Sequence, residues 1–298
     1  MEYIYFKDPK GNFGDDLNGW LWPQIFGEES LNKEDAFLGI GSILFNNHKI
    51  ITDLGDRKKI VFGTGIRPVY EAFKYDKTWD IRFLRGPLSS YSFNNKYDYI
   101  TDAAYALRFI ENFDSLKGME KKYEVSIMPY FRSIKYFDWQ SICDKLGYHY
   151  ISPLSENGVE FTLKEIASSK CLITEAMHGA ILADVLRVPW NRYVLTTPIT
   201  EGPMVSEFKW MDWLYSIGLY NVSTTFIKFN RKTFLNEWFK KISNNILDVE
   251  FVFKQKITTE IISKLGNVNQ FYLSEDENLS VINSKLYTKI ESLKSELL

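Results

Sequence analysis

Short apolar runs closed by Gly, Asp or Pro recur through the first half of the chain: Tyr3–Phe6, Ala36–Leu44, Lys59–Gly63, Ile81–Leu84 and Asp98–Thr101. They are rich in Ile, Leu, Val and Phe and do not alternate with polar residues. This pattern predicts strands buried on both faces, as in a parallel sheet covered by helices. The segments between them, Leu17–Phe26, Pro68–Phe73 and Pro87–Phe93, predict helices, two of which open on proline, a residue tolerated in a first helical turn. A charged, weakly patterned stretch, Glu111–Lys122, interrupts the series. It then resumes as strand Tyr123–Pro129, helix Asp138–Leu146, strand Tyr148–Ser152, helix Thr162–Ser168, strand Cys171–Thr174, helix Ala180–Leu186 and strand Arg192–Leu195. The expectation is an α/β protein with two Rossmann-like domains, residues 1–118 and 119–245, facing a cleft. Ligands of such sheets bind beyond the carboxyl ends of the strands.

The final third reads as helical: Glu207–Ile217, Arg231–Ile246 and Lys254–Lys264, with residues 246–298 forming a C-terminal helical extension. Near the end, Leu279, Ile282, Leu286, Ile290, Leu293 and Leu297 recur at spacings of three and four, on one helix face, with Lys285, Lys289 and Lys294 among them. Such a helix docks on its own protein or on a partner subunit of a homo-oligomer. Contact with a membrane surface is the other reading.

Composition narrows the classes. With 298 residues, 45% hydrophobic and 25% charged, the chain can build an ordinary core without staples. A formal net charge of −2 gives no sign of a nucleic-acid binder. The two cysteines, Cys143 and Cys171, have no metal-ligand spacing and read as reduced thiols. The first residues mix acidic and basic side chains and lack the basic start and apolar middle of a signal peptide. No apolar run approaches the ~20 residues of a membrane span. The expectation is a cytoplasmic protein without stable membrane insertion.

The chemistry-bearing residues cluster at the junctions between strands and helices. Asp8-Pro-Lys-Gly-Asn-Phe-Gly-Asp-Asp-Leu-Asn18 follows a strand; Gly11 and Gly14 permit tight backbone, and Asn12, Asp15 or Asp16 can cap the helix. It matches neither GxGxxG nor a Walker loop, and with no further acidic cluster beside Asp15 and Asp16 no metal is expected. Gly39-Ile-Gly-Ser42 and Gly63-Thr-Gly-Ile-Arg67 are Gly-rich turns after strands. Leu84-Arg-Gly-Pro-Leu-Ser89 sets Arg85 at a strand end, and Thr101-Asp-Ala-Ala104 closes the series. Arg67 and Arg85 at neighbouring carboxyl ends suggest a site for a small anion, since guanidinium binds carboxylate and phosphate bidentately. Arg132, in Met128-Pro-Tyr-Phe-Arg132, could face them across the cleft. In Ile173-Thr-Glu-Ala-Met-His-Gly-Ala-Ile-Leu-Ala183, His178 stands near a helix start beside Glu175, where Gly179 and Ala180 leave room for a ligand. Histidine suits proton transfer near neutral pH. His48, in a polar turn, and His149, in a strand, read as structural.

Taken in order, Asn12-Phe-Gly-Asp-Asp, Gly39-Ile-Gly-Ser, Phe62-Gly-Thr-Gly, Leu84-Arg-Gly-Pro-Leu-Ser, Thr101-Asp-Ala-Ala and Glu175-Ala-Met-His-Gly-Ala-Ile-Leu-Ala resemble the polysaccharide pyruvyl transferase family. The match runs from about residue 10 to about residue 215. Glu207-Phe-Lys-Trp-Met-Asp-Trp213 is similar to a segment of its bacterial exopolysaccharide branch. The resemblance implies a GT-B-like fold and transfer of the enolpyruvyl group of phosphoenolpyruvate, as co-substrate and without a cofactor, to two hydroxyls of a saccharide acceptor, free or lipid-linked. It implies His178 as general acid/base and Arg85, with Arg67, Arg132 and Lys209, around the anionic donor. Asp15, Asp16 and Asn12 would border the acceptor or act as base, Glu175 would lie at the site, and Trp210 and Trp213 would stack on a sugar. Glu175-Ala-Met-His departs from the Ser-x-Arg-x-His form common in the family. Ala176 and Met177 stand where that form carries arginine, so another residue must meet its role. A nucleotide-sugar glycosyltransferase of the same architecture and a non-catalytic carbohydrate-binding subunit are the rival readings. A lipid-linked acceptor would place the protein at the inner face of the membrane.

Overall fold

The computed structural model describes residues 1–28, 34–68, 72–229 and 249–297. In chain order the first half contains β1 (Glu2–Tyr3), α1 (Phe13–Phe26), β2 (Asp35–Leu38), α2 (Lys49–Thr52), β3 (Lys58–Phe62), β4 (Trp79–Phe83), α3 (Pro87–Tyr91), a 3₁₀ helix (Ala103–Phe109) and α4 (Phe113–Lys117). The second contains β5 (Tyr123–Met128), α5 (Trp139–Leu146), β6 (His149–Tyr150), α6 (Val159–Ala167), β7 (Ser169–Thr174), α7 (Met177–Val185), β8 (Trp190–Val194), α8 (Thr197–Thr200), α9 (Pro203–Ser216) and β9 (Thr224–Phe226), followed by α10 (Val249–Gly266) and α11 (Asp276–Leu297). The strands form two wholly parallel sheets, ordered β1-β2-β3-β4 and β6-β5-β7-β8-β9. The α/β reading of the apolar runs is therefore met by two parallel sheets with helices packed on them.

Local departures have local causes. β2 stops at Leu38, well short of the expected Leu44, because the chain must thin to pass Trp22; a Cβ on Gly39 would lie 2.6 Å from that ring. Leu44 instead forms a separate bridge with Ile66. Asp98–Thr101 is a single bridge, Leu84 to Tyr99, after which Asp102 turns the chain by accepting from the Ala104 amide. α7 opens at Met177 rather than Ala180, which places His178 in its first turn. β9 had no sequence counterpart. The expected helix Arg231–Ile246 and residues 69–71 of Pro68–Phe73 lie outside the described residues, and Ala72 and Phe73 are not helical.

One apolar core links the two sheets. Leu17, Leu21 and Trp22 of α1 meet Ala180, Ile181 and Leu182 of α7 and Ala103–Leu107 of the 3₁₀ helix. The terminal helix joins the same core through Leu279, Ile282, Leu286, Ile290 and Leu293, while Leu297 is exposed. Its apolar face is thus covered by its own chain, and Glu296 pairs with Arg82 on β4. α10 packs elsewhere, through Ile257, Ile261 and Leu265 against Ile127, Ile142 and Ile173 of the second half. The two helices of the C-terminal extension therefore pack into different cores.

Asp184, at the end of α7, ties these parts together. Its carboxylate accepts from Tyr105 Oη (2.7 Å), Ser274 N (2.7 Å), Ser274 Oγ (2.6 Å) and Trp190 Nε1 (3.4 Å). Removing a fully buried acceptor leaves several donors unsatisfied. Asp184→Ala should cost on the order of 3 kcal/mol in urea unfolding of the whole chain. A loss below about 1 kcal/mol would show that these donors find other partners.

Candidate active site

Every strand except β9 delivers residues from its carboxyl end to one cavity of about 220 Å³. Phe6 and Asn12–Asp15 follow β1, Gly41–Ile43 follow β2, Arg67 follows β3 and Arg85 follows β4. From the second sheet come Met128 and Tyr130–Arg132 beyond β5, Pro153 beyond β6, Ala176–His178 beyond β7, and Glu201, Val205 and Lys209 beyond β8. Parallel strands leave their polar connections on one side, so the two sheets converge on it.

The start of α1 forms one wall. The Phe13 amide donates to Pro153 O across the cavity (3.0 Å). Asn12 Nδ2 donates to Asp15 Oδ2 (2.5 Å). Asn18, buried one turn on, binds the Ile40 amide (2.9 Å) and the Ile40 carbonyl (3.1 Å) and accepts from Trp22 Nε1 (2.8 Å), which fixes the Gly39–Ser42 turn beside Asp15. Gly14 is where α1 meets α7: a Cβ there would fall 1.9 Å from His178 Nδ1. The imidazole thus lies against bare backbone. Its Nε2 is buried and has no hydrogen-bond partner among the described residues.

Burial, then the positive charges of Lys209 and Arg85, depress the His178 pKa to about 3, with Glu201 opposing weakly. The imidazole is therefore neutral in the free protein. Asp15 moves the other way: burial raises it to about 7, against the pull of Lys209. Lys209 Nζ contacts Glu201 Oε1 at 2.8 Å, and Tyr130 Oη donates to the same oxygen (3.2 Å). Burial alone would raise Glu201, but Lys209 and these hydrogen bonds outweigh it and hold the carboxylate below its usual range. Burial raises the Tyr130 phenol.

Of the residues singled out in the sequence, His178, Asp15, Asn12, Arg85, Arg67, Arg132 and Lys209 all line the cavity. Arg67 stacks over Phe45 at 5.3 Å, and the exposed Arg132 at the rim donates to Thr200 O (3.1 Å). Four others do not line it. Asp16 turns back to accept from the Asn12 amide (2.9 Å), closing the helix start. Glu175 is buried behind the cavity, where it accepts from the amides of Leu195, Thr196 and Thr197 and so receives the free N–H groups that open α8. Trp210 and Trp213 are also buried. They pack with Trp190 at ring distances of 6.1 and 5.2 Å, and Arg192 covers Trp210 at 4.5 Å, so neither can reach a sugar. The helical period turns Trp210 away from Lys209, whereas Trp213 lies one turn beyond Lys209 on α9, past the cavity and inside the core.

Residues the sequence left aside also line the site. Tyr130, Glu201 and Ser42 do, as does His48, whose Nδ1 accepts from the Ile50 amide (3.2 Å) and whose pKa is lowered by burial and by Arg67. Tyr130 was legible, two residues before the chosen Arg132. Glu201 was not, because nothing in its local sequence marks it. Among the described residues no group of three or more His, Cys, Asp or Glu could hold a metal ion, and no helix is long and apolar enough to cross a membrane.

The Asp15 shift has a measurable consequence. With a folded pKa near 7 against 3.8 unfolded, ionisation costs folding stability increasingly as pH rises through this window. Asp15→Asn should therefore unfold like the parent at pH 4 and at a higher temperature than the parent at pH 8. Thermal melts at both pH values check this, and equal melting at pH 8 would refute the raised pKa.

Comparisons with known proteins bear on the same residues. The family model described as polysaccharide pyruvyl transferase matches residues 6–191, more than half of the chain and a span containing Asn12, Arg85 and His178. The succinoglycan biosynthesis protein ExoV of Rhizobium meliloti (strain 1021) is 33% identical over 227 residues, covering 74% of this chain and 66% of that protein. The match thus spans just under two thirds of that relative's length. A crystal structure of an uncharacterized protein from Klebsiella pneumoniae subsp. pneumoniae NTUH-K2044 matches with a TM-score of 0.46 and 19% identity, over 77% of this chain and 93% of that one. The order of strand-end motifs seen in the sequence and the span of the family match agree: the chain belongs to the polysaccharide pyruvyl transferase family.

Proposed function

We propose that this protein transfers the enolpyruvyl group of phosphoenolpyruvate to two hydroxyls of one saccharide, forming a cyclic pyruvate ketal and releasing phosphate, in exopolysaccharide or cell-surface glycan synthesis. The observation that carries the reading is the gathering of Arg67, Arg85, Arg132 and Lys209 around His178 and Asp15 in one small cavity. Four cations against the carboxyls of Asp15, Glu201 and the Asp212 that pairs with Arg85 still leave a positive excess, which suits a compact donor bearing one carboxylate and one phosphate. The cavity falls below the roughly 300–1,000 Å³ common for drug-sized ligands, which favours such a donor over a nucleotide sugar.

The reaction needs one proton delivered to the donor's methylene carbon and two removed from acceptor hydroxyls. The Asp15 carboxyl, still partly protonated at neutral pH, supplies the first. Protonation makes the central carbon electrophilic. Neutral His178 then takes the proton of the attacking hydroxyl. The carbon–oxygen bond to phosphate breaks, the second hydroxyl closes the ring, and its proton leaves with phosphate or water. The bound donor's negative charge offsets Lys209 and Arg85, so His178 becomes more basic when it is needed.

The saccharide borders Asn12 and Tyr130, and Phe6 and Phe131 on the cavity wall offer ring faces in place of the buried tryptophans. The two parallel sheets directing their carboxyl ends at one site are what a GT-B-like arrangement requires. Free thiols at Cys143 and Cys171 agree with a cytoplasmic location.

Phosphoenolpyruvate should raise the melting temperature of the protein, and nucleotide sugars should not. The reverse result would transfer the site to glycosyl chemistry. With a saccharide acceptor, His178→Gln should lower kcat by about 10²–10⁴-fold while the variant remains folded. Ordinary turnover would remove His178 from the mechanism. The kcat of the parent should fall as pH rises above about 7, when Asp15 loses its proton. A rise through the same range would make Asp15 a base instead.

A further inference from the structure

Arg85 is the innermost cation of the cavity, and its side chain and that of Asp212 are both fully buried. A guanidinium carries five N–H donors in a rigid fork. Nε donates to Asp212 Oδ2 (3.0 Å), Nη1 donates to Ser42 Oγ (2.7 Å) and reaches Gly41 O (3.5 Å), and Nη2 has no partner among the described residues. Asp212 is itself held: its Oδ1 accepts from the Ser89 amide (2.9 Å) and its Oδ2 from Ser89 Oγ (2.6 Å).

The backbone is thinned on both sides of this pair. A Cβ on Gly65 would lie 2.3 Å from Arg85 Cζ and Nη2, and a Cβ on Gly86 would lie 1.9 Å from Asp212 O. α9 therefore seats directly on the opening of α3. The same face of α9, one turn earlier, carries Lys209 into the cavity. Asp212 thus comes from the second half of the chain and Arg85 from the first, and the pair spans the two sheets.

We propose that Asp212 is a positioning residue of the anion site. Acting through Arg85, it holds the guanidinium so that the unpartnered Nη2 side remains available to the donor's carboxylate or phosphate. The inference rests on the anionic donor proposed above, although not on the transfer reaction itself. A purely structural anchor would account for the Ser89 bonds but not for a charged partner matched to Nε. A dry guanidinium stripped of its carboxylate must swing toward another acceptor or draw in water. In either case the fork no longer faces the cavity.

The test is a double-mutant cycle read by calorimetric titration, at fixed ionic strength, of phosphoenolpyruvate and, separately, inorganic phosphate. Asp212→Asn should weaken phosphoenolpyruvate binding by about tenfold or more. In an Arg85→Lys background the same substitution should add less than about twofold, because the group it acts through is gone. An Asp212→Asn protein that melts lower yet binds phosphoenolpyruvate within twofold of the parent would overturn the proposal. So would a tenfold loss that adds in full to Arg85→Lys. Should Asp212→Asn fail to fold, Ser89→Ala removes one anchor of Asp212 and keeps the ion pair. It should cause a smaller loss that vanishes in the Arg85→Lys background, and full additivity there would again refute the coupling. Parent protein that binds phosphoenolpyruvate without transferring it would sink the reaction and leave Asp212 in place. Parent protein that binds neither anion would overturn both.

Discussion

Charge taken out of water must be compensated where it lies, and the buried contact between Arg85 and Asp212 meets that requirement at the point where the two sheets approach each other. Other features follow from it. Gly65 and Gly86 have no room for a side chain, α3 begins where it can give its Ser89 amide to the carboxylate, and α9 is pinned by its middle. With α9 fixed there, Lys209 is delivered beside His178 and Trp210 and Trp213 are turned into the core. One desolvated pair therefore sets the orientation of a helix, and that orientation decides which of its side chains the cavity receives.

The electrostatics of the cavity form a second level of the same constraint. Lys209 and Arg85 act together on His178, while Lys209 also opposes the upward shift of Asp15 and holds Glu201 ionised. The result is a neutral imidazole and a carboxyl that titrates near neutrality, within one site. Groups driven apart in this way can divide acid and base work between them. Burial is the largest influence on both, and it acts in opposite directions because one group is charged when protonated and the other when deprotonated.

Much of this was legible in the sequence, because parallel strands announce their carboxyl ends. At several of the points where an apolar run stopped at Gly or a polar residue, the next few residues lined the cavity, as Asn12, Arg67, Arg85 and His178 do, although Asp102 after Asp98–Thr101 does not. Residue type did not show whether a side chain turned into the cavity or behind it. Glu175 is three residues from His178, yet it faces away to receive the amides of Thr196 and Thr197. Asp16 is adjacent to Asp15 but closes the helix start instead. The tryptophans of α9 have ring faces suited to a sugar but are packed into the core, Trp210 by its helical phase and Trp213 by its place one turn beyond Lys209. Glu201 and Tyr130 became visible once the fold brought the end of α8 to the connection after β5, since their pairing spans 71 residues. The terminal helix was readable as a helix from its apolar spacing, but spacing alone could not tell its own core from a partner's surface.

At the junction of β7 and α7, Ala176 and Met177 bring no charge beside His178. The cations that act on His178 come from other elements, Lys209 from α9 and Arg85 from the end of β4. Glu175 binds the amides that open α8 and so anchors the short helix Thr197–Thr200. The chain then passes through Glu201 and the positive φ of Gly202 (96°), a conformation glycine adopts readily, and enters α9 at Pro203. Two turns into that helix, Lys209 faces the cavity, paired with Glu201, and after burial it is the strongest influence on the pKa of His178. The positive charge that acts most strongly on His178 thus arrives from α9, an element that follows the Glu175-anchored α8 and is held at its middle by Asp212. Lysine on such a brace is a point charge on a flexible stem, without the flat fork of arginine. The planar guanidinium groups of the cavity come instead from Arg67 and Arg85 beyond the first sheet and from Arg132 beyond β5.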